Sequence, residues 1–492
     1  MPSAISTDVL IVGAGVAGLW LNARLRRLGY STVLVERATV GGAQTLKSQG
    51  IIHGGTKYAL HGALTGASEA IADMPRRWRE ALAGNGELDL RHTRLLSDAH
   101  YLWSPGTLAG NLTSFFASKA VRGRVDQVKG DQLPAALQDR AFKGKVYRLA
   151  ELVIDVPSLL TNLAELAGDS LLAGGRIEPL RDEGELVGLR VDGRDIRAQR
   201  IVLSAGAGIA DLLQALGLEQ PAMQTRPLHM VMVKGANLKP LYAHCLGAGP
   251  KPRMTVTTHP AADGQWVWYL GGELAEADGV AREPAAQIAA AQKEVASLLP
   301  WVDQSQLHWA TLRVDRAEPA QSGLVRPDNA FLAEQQRLLV GWPTKLALAP
   351  DFSDRVIRQL QREVSQRRMM AAVPQADVII TNPTHYAVAL QYDPENGNSA
   401  PLLLAKGSDF MALKIREIGA EHKIQILESA ALARAIYYST EVEHEIPAGL
   451  YLAVAQVLAY VFQIRQYHAG KGKRPDPLKT DLPIPPDLRR DS

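Results

Sequence analysis

Three glycines near the N-terminus have the spacing of a phosphate-binding turn. They form the pattern G-x-G-x-x-G between an apolar run at 9–12 and an amphipathic run at 16–28, and they are Gly13, Gly15 and Gly18. In such a turn the first glycine permits the bend, the second admits a pyrophosphate and the third lets helix pack on strand. Glu36 ends the next apolar run, where its carboxylate could accept hydrogen bonds from ribose hydroxyls. The spacing predicts a dinucleotide site, and the alternative is a glycine-rich turn in a nucleotide-free α/β domain.

An asparagine followed by a proline marks a second place where chemistry could occur. The side-chain amide nitrogen of Asn382 could attack its own main-chain carbonyl, close a succinimide ring and expel the nitrogen of Pro383. That nitrogen carries no hydrogen and so is not tied into a sheet ladder. A tight turn would hold the near-attack geometry, and Thr384 and His385 could polarise the carbonyl or move protons. The alternative is an uncleaved turn, because Asn-Pro alone is an ordinary turn signal.

The residues described above belong to a chain with the composition of an ordinary globular protein. Its 492 residues are 46% hydrophobic and 21% charged, which excludes collagen-like, disulfide-stapled and wholly disordered proteins. The single cysteine, Cys245, cannot form an internal disulfide, and residues 1–7 lack a signal-peptide pattern, so we expect a reducing cytosol. A net charge of +3 gives no reason for a nucleic-acid partner. The longest apolar stretch, 449–464, is shorter than the roughly 20 residues of a membrane span.

The chain divides into two unlike blocks. Up to about residue 360, short β-rich runs alternate with helical patterns, which predicts an α/β fold. Three runs without intervening helices predict an antiparallel sheet in a second subdomain, and they lie at 228–234, 254–259 and 265–270. After Pro374 a smaller pattern begins, with predicted strands at 376–381, 386–392, 401–405 and 424–428 and helices at 408–422, 430–439 and 447–466.

The first block, over about residues 5–358, resembles the D-amino-acid oxidase and glycerol-3-phosphate dehydrogenase superfamily of FAD-dependent oxidoreductases. Besides the glycine pattern, the resemblance rests on TLKSQGIIHGGTKYAL (45–60), DVPSLL (155–160), VLSAGAG (202–208) and GWPTKLALAP (341–350). It implies FAD as cofactor. It also implies a substrate subdomain at about 216–324 and a Rossmann-like FAD-binding domain built from about 5–60, 150–215 and 325–358.

The same resemblance implies where flavin and substrate bind. Flavin-side contacts are expected from Ser48, Gln49, Gly54, Gly206, Gly208, Gly341 and Thr344. Lys345 could stabilise the negative charge of reduced flavin, or be a solvated loop lysine. His53 could be an acid/base, a hydrogen-bond donor to flavin, a covalent attachment point or merely a structural polar group. Arg313 lies where relatives place an arginine for a substrate carboxylate, with Arg316 and Arg326 as competitors.

The resemblance specifies the substrate only as a small molecule. If that molecule is a 2-hydroxy or 2-amino acid, the expected step is hydride transfer from its α-carbon to the flavin, an expectation that rests on family analogy. Relatives commonly end with a Gly-His-x-Gly-rich turn over the flavin, whereas this chain has GWPTK at 341–345. The electron acceptor therefore stays open.

The last block, from about Arg362 onward, resembles the cytoplasmic domain of the FlhB/YscU family, the substrate-specificity switch of flagellar and virulence type III secretion. The resemblance rests on NPTH (382–385), AKG (405–407), ALKIREIGAEHKI (412–424), ALARAIY (431–437) and EIPAGLYLAVAQVLAYVFQ (445–463). It implies self-cleavage at Asn382-Pro383 and contact with export apparatus and export substrates. The chain departs from the family at 429–431, where Ser-Ala-Ala replaces the usual Pro-Pro, and the oxidoreductase block takes the place of four transmembrane helices.

The domain prediction follows from both blocks. It comprises an FAD-dependent oxidoreductase at 1–358, a basic helical linker at 359–375, a self-cleaving domain at 376–467 and a disordered Pro-rich tail at 468–492. The basic helix at 351–370 could dock on an anionic membrane surface at the export gate, or be an ordinary solvated face. Three interpretations stay open: an oxidoreductase with an export-switch appendage, an export regulator with the flavin block as carrier, and an accidental fusion with uncoupled halves.

Overall fold

The computed structural model describes residues 4–55, 70–105, 125–247, 251–321, 329–383, 385–393, 400–478 and 481–489. Contacts between residues divide the chain into two units, Met1–Ile357 and Arg358–Ser492. The boundary falls within the helix Ala349–Ala372. Thr384 and Arg326, both singled out from the sequence, lie outside the described residues.

The first unit alternates strands and helices along the chain. Its strands are β1 (Ile5–Val12), β2 (Thr32–Glu36), β3 (Ile51–Ile52), β4 (Leu95–Ser97), β5 (His100–Ser104), β6 (Val125–Val128), β7 (Lys145–Leu149), β8 (Leu152–Ile154), β9 (Leu171–Ala173), β10 (Ile177–Asp182), β11 (Glu185–Val191), β12 (Arg194–Leu203), β13 (Met223–Gly235), β14 (Ala243–Leu246), β15 (Pro252–Pro260), β16 (Trp266–Gly271), β17 (His308–Pro319), β18 (Phe331–Gln335) and β19 (Leu338–Trp342). Its helices are α1 (Val16–Arg27), α2 (Met74–Leu82), α3 (Val156–Ala167), α4 (Ile209–Leu216), α5 (Asp278–Ala281) and α6 (Pro284–Leu298), and α7 (Ala349–Ala372) follows.

The first sheet has a parallel centre in the order β9-β2-β1-β12-β19. Strands buried on both faces read as continuous apolar runs, and in β1 the side chains of Val9, Leu10 and Ile11 are almost fully buried. β18 adds an antiparallel edge to β19, and the hairpin of β10 and β11 extends β12. Because the carboxyl ends of parallel strands meet at one edge, the segments after β1, β2, β12 and β19 converge there.

The second sheet has the order β17-β13-β16-β15-β14-β5-β7-β6 and is antiparallel except for the β14–β5 pair. β13, β15 and β16 contain the three runs predicted from the sequence. The sheet also draws β5, β6 and β7 from 100–149, outside the predicted range of 216–324. Helix α6 covers it, with Ala291, Val295 and Leu298 in the core. A small sheet, β3-β8-β4, completes the first unit. This mixed α/β architecture confirms the predicted fold class.

The second unit is a four-stranded sheet with helices on both faces. Its strands are β20 (Val378–Asn382), β21 (Tyr386–Gln391), β22 (Leu402–Ser408) and β23 (Gln425–Glu428), and its further helices are α8 (Asp409–Glu421), α9 (Ala430–Ser439) and α10 (Tyr451–His468). The order is β22-β21-β20-β23, so β20 lies inside the sheet. One core includes residues of α9 and α10, and the other includes residues of α8.

The C-terminal helix and the segment after it contribute buried side chains to the core of the second unit. Within the described residues, the helical stretch 448–468 is long and apolar enough to cross a membrane by length and composition alone. Its Ala453, Val454 and Val457 are buried in the core of the second unit. The sequence predicted a disordered tail from 468, yet Leu482 and Ile484 are 3% and 9% exposed and belong to the same core. Apolar side chains spaced two apart anchor this otherwise polar segment.

The packing of α1 on the turn before it depends on Gly18. A Cβ at Gly18 would lie 2.0 Å from the carbonyl oxygen of Gly13. We predict that Gly18→Ala destabilises the first unit by about 2 kcal/mol, because overpacking of this kind costs about 3 kcal/mol or more against the ~1 kcal/mol that alanine gains in a helix. Thermal unfolding followed by circular dichroism measures the change. Gly472→Ala is the control, since its Cβ would meet no atom closer than 4.0 Å. An unchanged Tm for Gly18→Ala would contradict the proposed packing.

Candidate functional site

The turn between β1 and α1 has the geometry of a phosphate-binding loop. Gly13 has a φ of +104°, and a Cβ there would lie 2.5 Å from Cα of Ala205, so both the backbone conformation and the close approach require glycine. Its N–H donates to the carbonyl of Val35 at 2.8 Å and ties the turn to β2. Gly15 directly precedes α1, whose first-turn N–H groups carry the positive end of the helix dipole. The turn can therefore bind an anion.

Glu36 is positioned by the same turn. One of its carboxylate oxygens accepts the N–H of Ala14 at 2.8 Å, and the other accepts the N–H of Ala38 at 3.0 Å. Each carboxylate oxygen has a second lone pair. The carboxylate is thus fixed at the end of β2 and retains acceptor capacity for hydroxyl groups.

A cavity of about 730 Å³ opens at this edge of the first sheet. Its volume lies in the range of about 300–1,000 Å³ that is common for ligand sites. Ten of the residues chosen from the sequence line it, namely Gly13, Gly15, Glu36, Ser48, Gln49, His53, Gly206, Gly208, Thr344 and Lys345. Four do not line it, namely Gly18, Gly54, Gly341 and Arg313. Gly18 acts through packing, as described above.

The residues present fit FAD. One part of the cavity has the glycine turn, the N-terminus of α1 and Glu36, which suit a pyrophosphate and a ribose. A Cβ at Gly13 would meet the backbone of Ala205, so glycine lets this turn lie against the segment after β12, which also lines the cavity. The lining also includes the apolar residues Leu228, Met230 and Val314 and the cationic residues Arg316 and Lys345.

The segment after β19 forms part of the wall through a strained turn. The indole N–H of Trp342 donates to the carbonyl of Gly206 at 3.1 Å. Thr344 has a φ of +59°, unusual for a β-branched residue, and its hydroxyl donates to the carbonyl of Asn329 at 3.2 Å. Lys345 is only 7% exposed although it lines the cavity.

Gly341 and Gly54, which were predicted to contact flavin, do not line the cavity. A Cβ at Gly341 would lie 2.3 Å from the carbonyl oxygen of Phe331, so this glycine allows β18 and β19 to pack closely instead of lining the cavity. The N–H of Gly54 donates to a carboxylate oxygen of Glu151 at 3.0 Å, away from the cavity wall. Gln49, by contrast, lines the cavity, and its side-chain amide donates to the carbonyl of Tyr269 at 2.9 Å.

Arg313, the arginine chosen from the sequence to bind a substrate carboxylate, does not line the cavity. Arg313 is exposed, and its guanidinium donates to the carbonyls of Val280 and Arg282 at 2.8 and 3.0 Å. Successive side chains of a strand point to opposite faces. Arg316, three residues later on β17, lines the cavity and lies 3.6 Å from a carboxylate oxygen of Glu276.

A group of buried polar residues beside His53 was not predicted. Nδ1 of His53 lies 3.3 Å from a carboxylate oxygen of Glu151, and donor atoms of His53, Glu151 and His244 all lie within 4.8 Å of one another. The ring of His100 packs against that of His244 with centroids 4.3 Å apart. These residues come from four distant segments, so no local spacing could have shown that they meet.

Other titratable groups of the second sheet are held in their neutral forms by burial. Burial raises the pKa of the Cys245 thiol to about 12 and that of Tyr242 to about 12. Burial also lowers the pKa of His259 to about 4. A thiol with such a pKa is protonated and unreactive near neutral pH. The single cysteine is therefore a core residue, without a nucleophilic role.

A separate site lies in the second unit, at the hairpin between β20 and β21. Asn382 pairs with Tyr386, and the N–H of His385 donates to the carbonyl of Asn382 at 3.1 Å. The guanidinium of Arg416 on α8 donates to the carbonyl of Pro383 at 2.5 Å. Nδ1 of His385 lies 3.5 Å from a carboxylate oxygen of Asp409. The hairpin thus holds the Asn-Pro bond in a tight turn, with Arg416 as a contact that sequence reasoning missed.

Two family models match the chain. The model for FAD dependent oxidoreductases (DAO) matches residues 8–341, and the model for the FlhB HrpN YscU SpaS family matches residues 354–461. A Pseudomonas aeruginosa protein described as a probable FAD-dependent oxidoreductase is 75% identical over 375 residues, which are 76% of this chain and 96% of that protein. The crystal structure of the P. aeruginosa FAD-dependent oxidoreductase matches with a TM-score of 0.66 and 70% identity, covering 74% of this chain and 92% of that one.

The second unit has its own relatives. The flagellar biosynthetic protein FlhB of Salmonella typhimurium is 56% identical over 132 residues, which are 27% of this chain. Those residues cover 34% of FlhB, so the chain spans about a third of that relative's length. The predicted resemblance to both families is confirmed.

The carboxylate of Glu36 gives a direct test of the cofactor site. We predict that Glu36→Gln weakens FAD binding by about 10–100-fold, because hydrogen bonds to a charged group contribute about 1.5–3 kcal/mol. Titration of the apoprotein with FAD, followed by flavin fluorescence, measures the Kd. Glu185→Gln is a matched control, since Glu185 is exposed and does not line the cavity. Equal affinities of the two variants would contradict this role of Glu36.

Proposed function

The chain belongs to the family of FAD-dependent oxidoreductases, so its first unit binds FAD, and we propose that this unit oxidises a small 2-hydroxy or 2-amino acid by hydride transfer. The observation that carries the proposal is the composition of one cavity. In its wall, Gly13 and Glu36, which suit the dinucleotide, occur together with apolar residues and the cationic residues Arg316 and Lys345. A carboxylic acid is the kind of small substrate that such a wall suits.

Each part of that wall has a task in the proposed reaction. FAD, when bound, supplies the acceptor for a hydride from the α-carbon of the substrate. Arg316 binds the substrate carboxylate and orients the α-carbon. Lys345 provides positive charge where negative charge develops on the acceptor side. The apolar side chains of Leu228, Met230 and Val314 exclude water from the reacting centre.

A panel of candidate substrates tests the reaction. The FAD-bound chain is mixed without oxygen with 2-hydroxy acids, 2-amino acids and the uncharged amides of both, and loss of the yellow flavin absorption is followed. We expect reduction by at least one of the acids and by none of the amides, because only an acid has a carboxylate for the guanidinium. Reduction by the amides at the same rate would contradict the proposed substrate class.

The two neighbouring arginines of β17 provide a matched pair for the same assay. We predict that Arg316→Met raises KM for the acid by about 10–100-fold, since a hydrogen-bonded charge pair contributes about 1.5–3 kcal/mol. Arg313→Met, on the opposite face, leaves KM unchanged. The reverse pattern would return the role to Arg313, the first choice from the sequence.

For the second unit we infer self-cleavage between Asn382 and Pro383 and association with components of a type III or flagellar export apparatus. The hairpin supports the first part, because a tight turn favours attack of the asparagine amide on its own carbonyl. Arg416 fixes the carbonyl of Pro383 at one side of the bond. The relatives support the second part, since the matching proteins are flagellar biosynthetic proteins. We propose accordingly that the chain acts in the cytoplasm, near the inner-membrane export gate.

Denaturing intact-mass measurement tests the cleavage. We predict that the purified chain separates into fragments of 382 and 110 residues and that Asn382→Ala remains a single chain of 492 residues. Asn237→Ala is the control, because Asn237 is an exposed asparagine outside the hairpin, and it should be cut like the unchanged chain. A single uncut mass for the unchanged chain would contradict self-cleavage.

A further inference from the structure

We propose that His53, Glu151 and His244 bind a divalent transition-metal ion of the Zn²⁺ class in the wall of the FAD cavity. His53 directly follows β3, Glu151 directly precedes β8, and His244 lies on β14. Two histidines with one glutamate are the protein ligands of several catalytic zinc sites. A related set, two histidines and one carboxylate, holds iron in non-haem oxygenases. Neither the oxidoreductase reaction nor the FAD site proposed above requires this ion.

The distances between the donor atoms are compatible with shared coordination of one ion. Nδ1 of His53 and a carboxylate oxygen of Glu151 are 3.3 Å apart. Charge-assisted hydrogen bonds between such groups are shorter, about 2.7–2.9 Å. Two ligands on one tetrahedral ion, each at about 2.0–2.1 Å, are separated by about 3.3 Å. Donor atoms of all three side chains lie within 4.8 Å of one another, so a bound ion would draw the more distant donors closer together.

The three side chains are largely shielded from water. Glu151 and His244 are 1% and 2% exposed, and His53 is 17% exposed. A carboxylate taken out of water is costly unless it is paired or coordinates a metal. A divalent ion would add to the partners that Glu151 already has, while the imidazoles stay uncharged, as metal ligation requires.

Hydrogen bonds behind the ligands are those of a supported metal site. Nδ1 of His244 lies 2.8 Å from the hydroxyl of Thr255, which leaves Nε2 as the nitrogen for ligation. The second carboxylate oxygen of Glu151 accepts the N–H of Gly54 at 3.0 Å and is thereby oriented. The ring of His100 packs against His244 and restricts its rotation. Such outer contacts fix ring orientation and raise metal affinity.

The ion would face the FAD cavity through His53. That side chain lines the cavity, whereas Glu151 and His244 lie behind it. With three protein ligands, a tetrahedral ion keeps one position for an external oxygen donor. The chemical class of that donor is an anionic or hydroxyl oxygen, either water or a carboxylate or hydroxyl of a molecule in the cavity.

Equilibrium dialysis of the FAD-bound chain against Zn²⁺ tests the proposal, with metal counted by mass spectrometry after chelator treatment. We expect one tightly bound Zn²⁺ per chain. Glu151→Gln and His244→Gln should weaken binding by more than about 100-fold, because even outer-shell changes cost about 10–100-fold. Thr255→Val should weaken Zn²⁺ binding by about 10–100-fold, because Thr255 is an outer-shell contact of His244. This variant still tests the metal site if a ligand variant fails to retain FAD. His259→Gln, which replaces a neutral imidazole outside the group, should bind Zn²⁺ like the unchanged chain.

Two results would overturn the proposal. The first is an FAD-bound chain that takes up no Zn²⁺, in which case His53 and Glu151 form a metal-free hydrogen-bonded pair. The second is Zn²⁺ binding that none of the three substitutions weakens, which would locate the ion elsewhere on the chain. Either result leaves FAD binding and substrate oxidation untouched, so failure here is distinguishable from failure of the proposed function.

Discussion

The first unit depends on one close approach, that of helix α1 to the turn before it. Because Gly18 lacks a Cβ, the helix can lie against the carbonyl of Gly13, and because Gly13 adopts a positive φ, the chain can turn that sharply. The first turn of the helix, with Val16 and Ala17, then lies at the cavity wall, where the positive end of the helix dipole favours an anion. The parallel pairing of β1 with β12, and of β12 with β19, brings Gly206 and the turn after Trp342 to the same edge. The segments that are expected to contact flavin are therefore held at the same edge of the sheet as the phosphate-binding turn.

Local sequence patterns predicted those parts of the protein in which the chemically important residues lie close together along the chain. The glycine turn and Glu36 are 23 residues apart or less and are joined by one strand-helix-strand unit. In the second unit, the strand predicted at 386–392 is observed at Tyr386–Gln391, and the helix predicted at 430–439 is observed at Ala430–Ser439. In both regions turn residues and apolar periodicity agree with tertiary packing, so local preference and global fold point to the same answer.

What the sequence could not reveal depends on register and on long-range contacts. The choice between Arg313 and Arg316 turns on which face of β17 each occupies, and a shift of one residue reverses that face. Glu151 and His244 meet His53 only after the second and third sheets have formed. Gly341 looked like a flavin contact because of its neighbours in sequence, but its close packing against Phe331 is a property of the sheet edge. The tail after 468 was judged by composition, which cannot show that Leu482 fits the core.

The position of β20 has a consequence for how the two parts of the chain stay together. β20 lies between β21 and β23, and its Val378 and Ile380 are buried in one core with residues of α9 and α10. A cut after Asn382 would leave β20 at the end of one polypeptide and its neighbours in the other. The products would be a heterodimer sharing one sheet, whose subunits separate only when that sheet unfolds. The time for which the two products stay joined would then be set by an unfolding rate and not by a binding equilibrium.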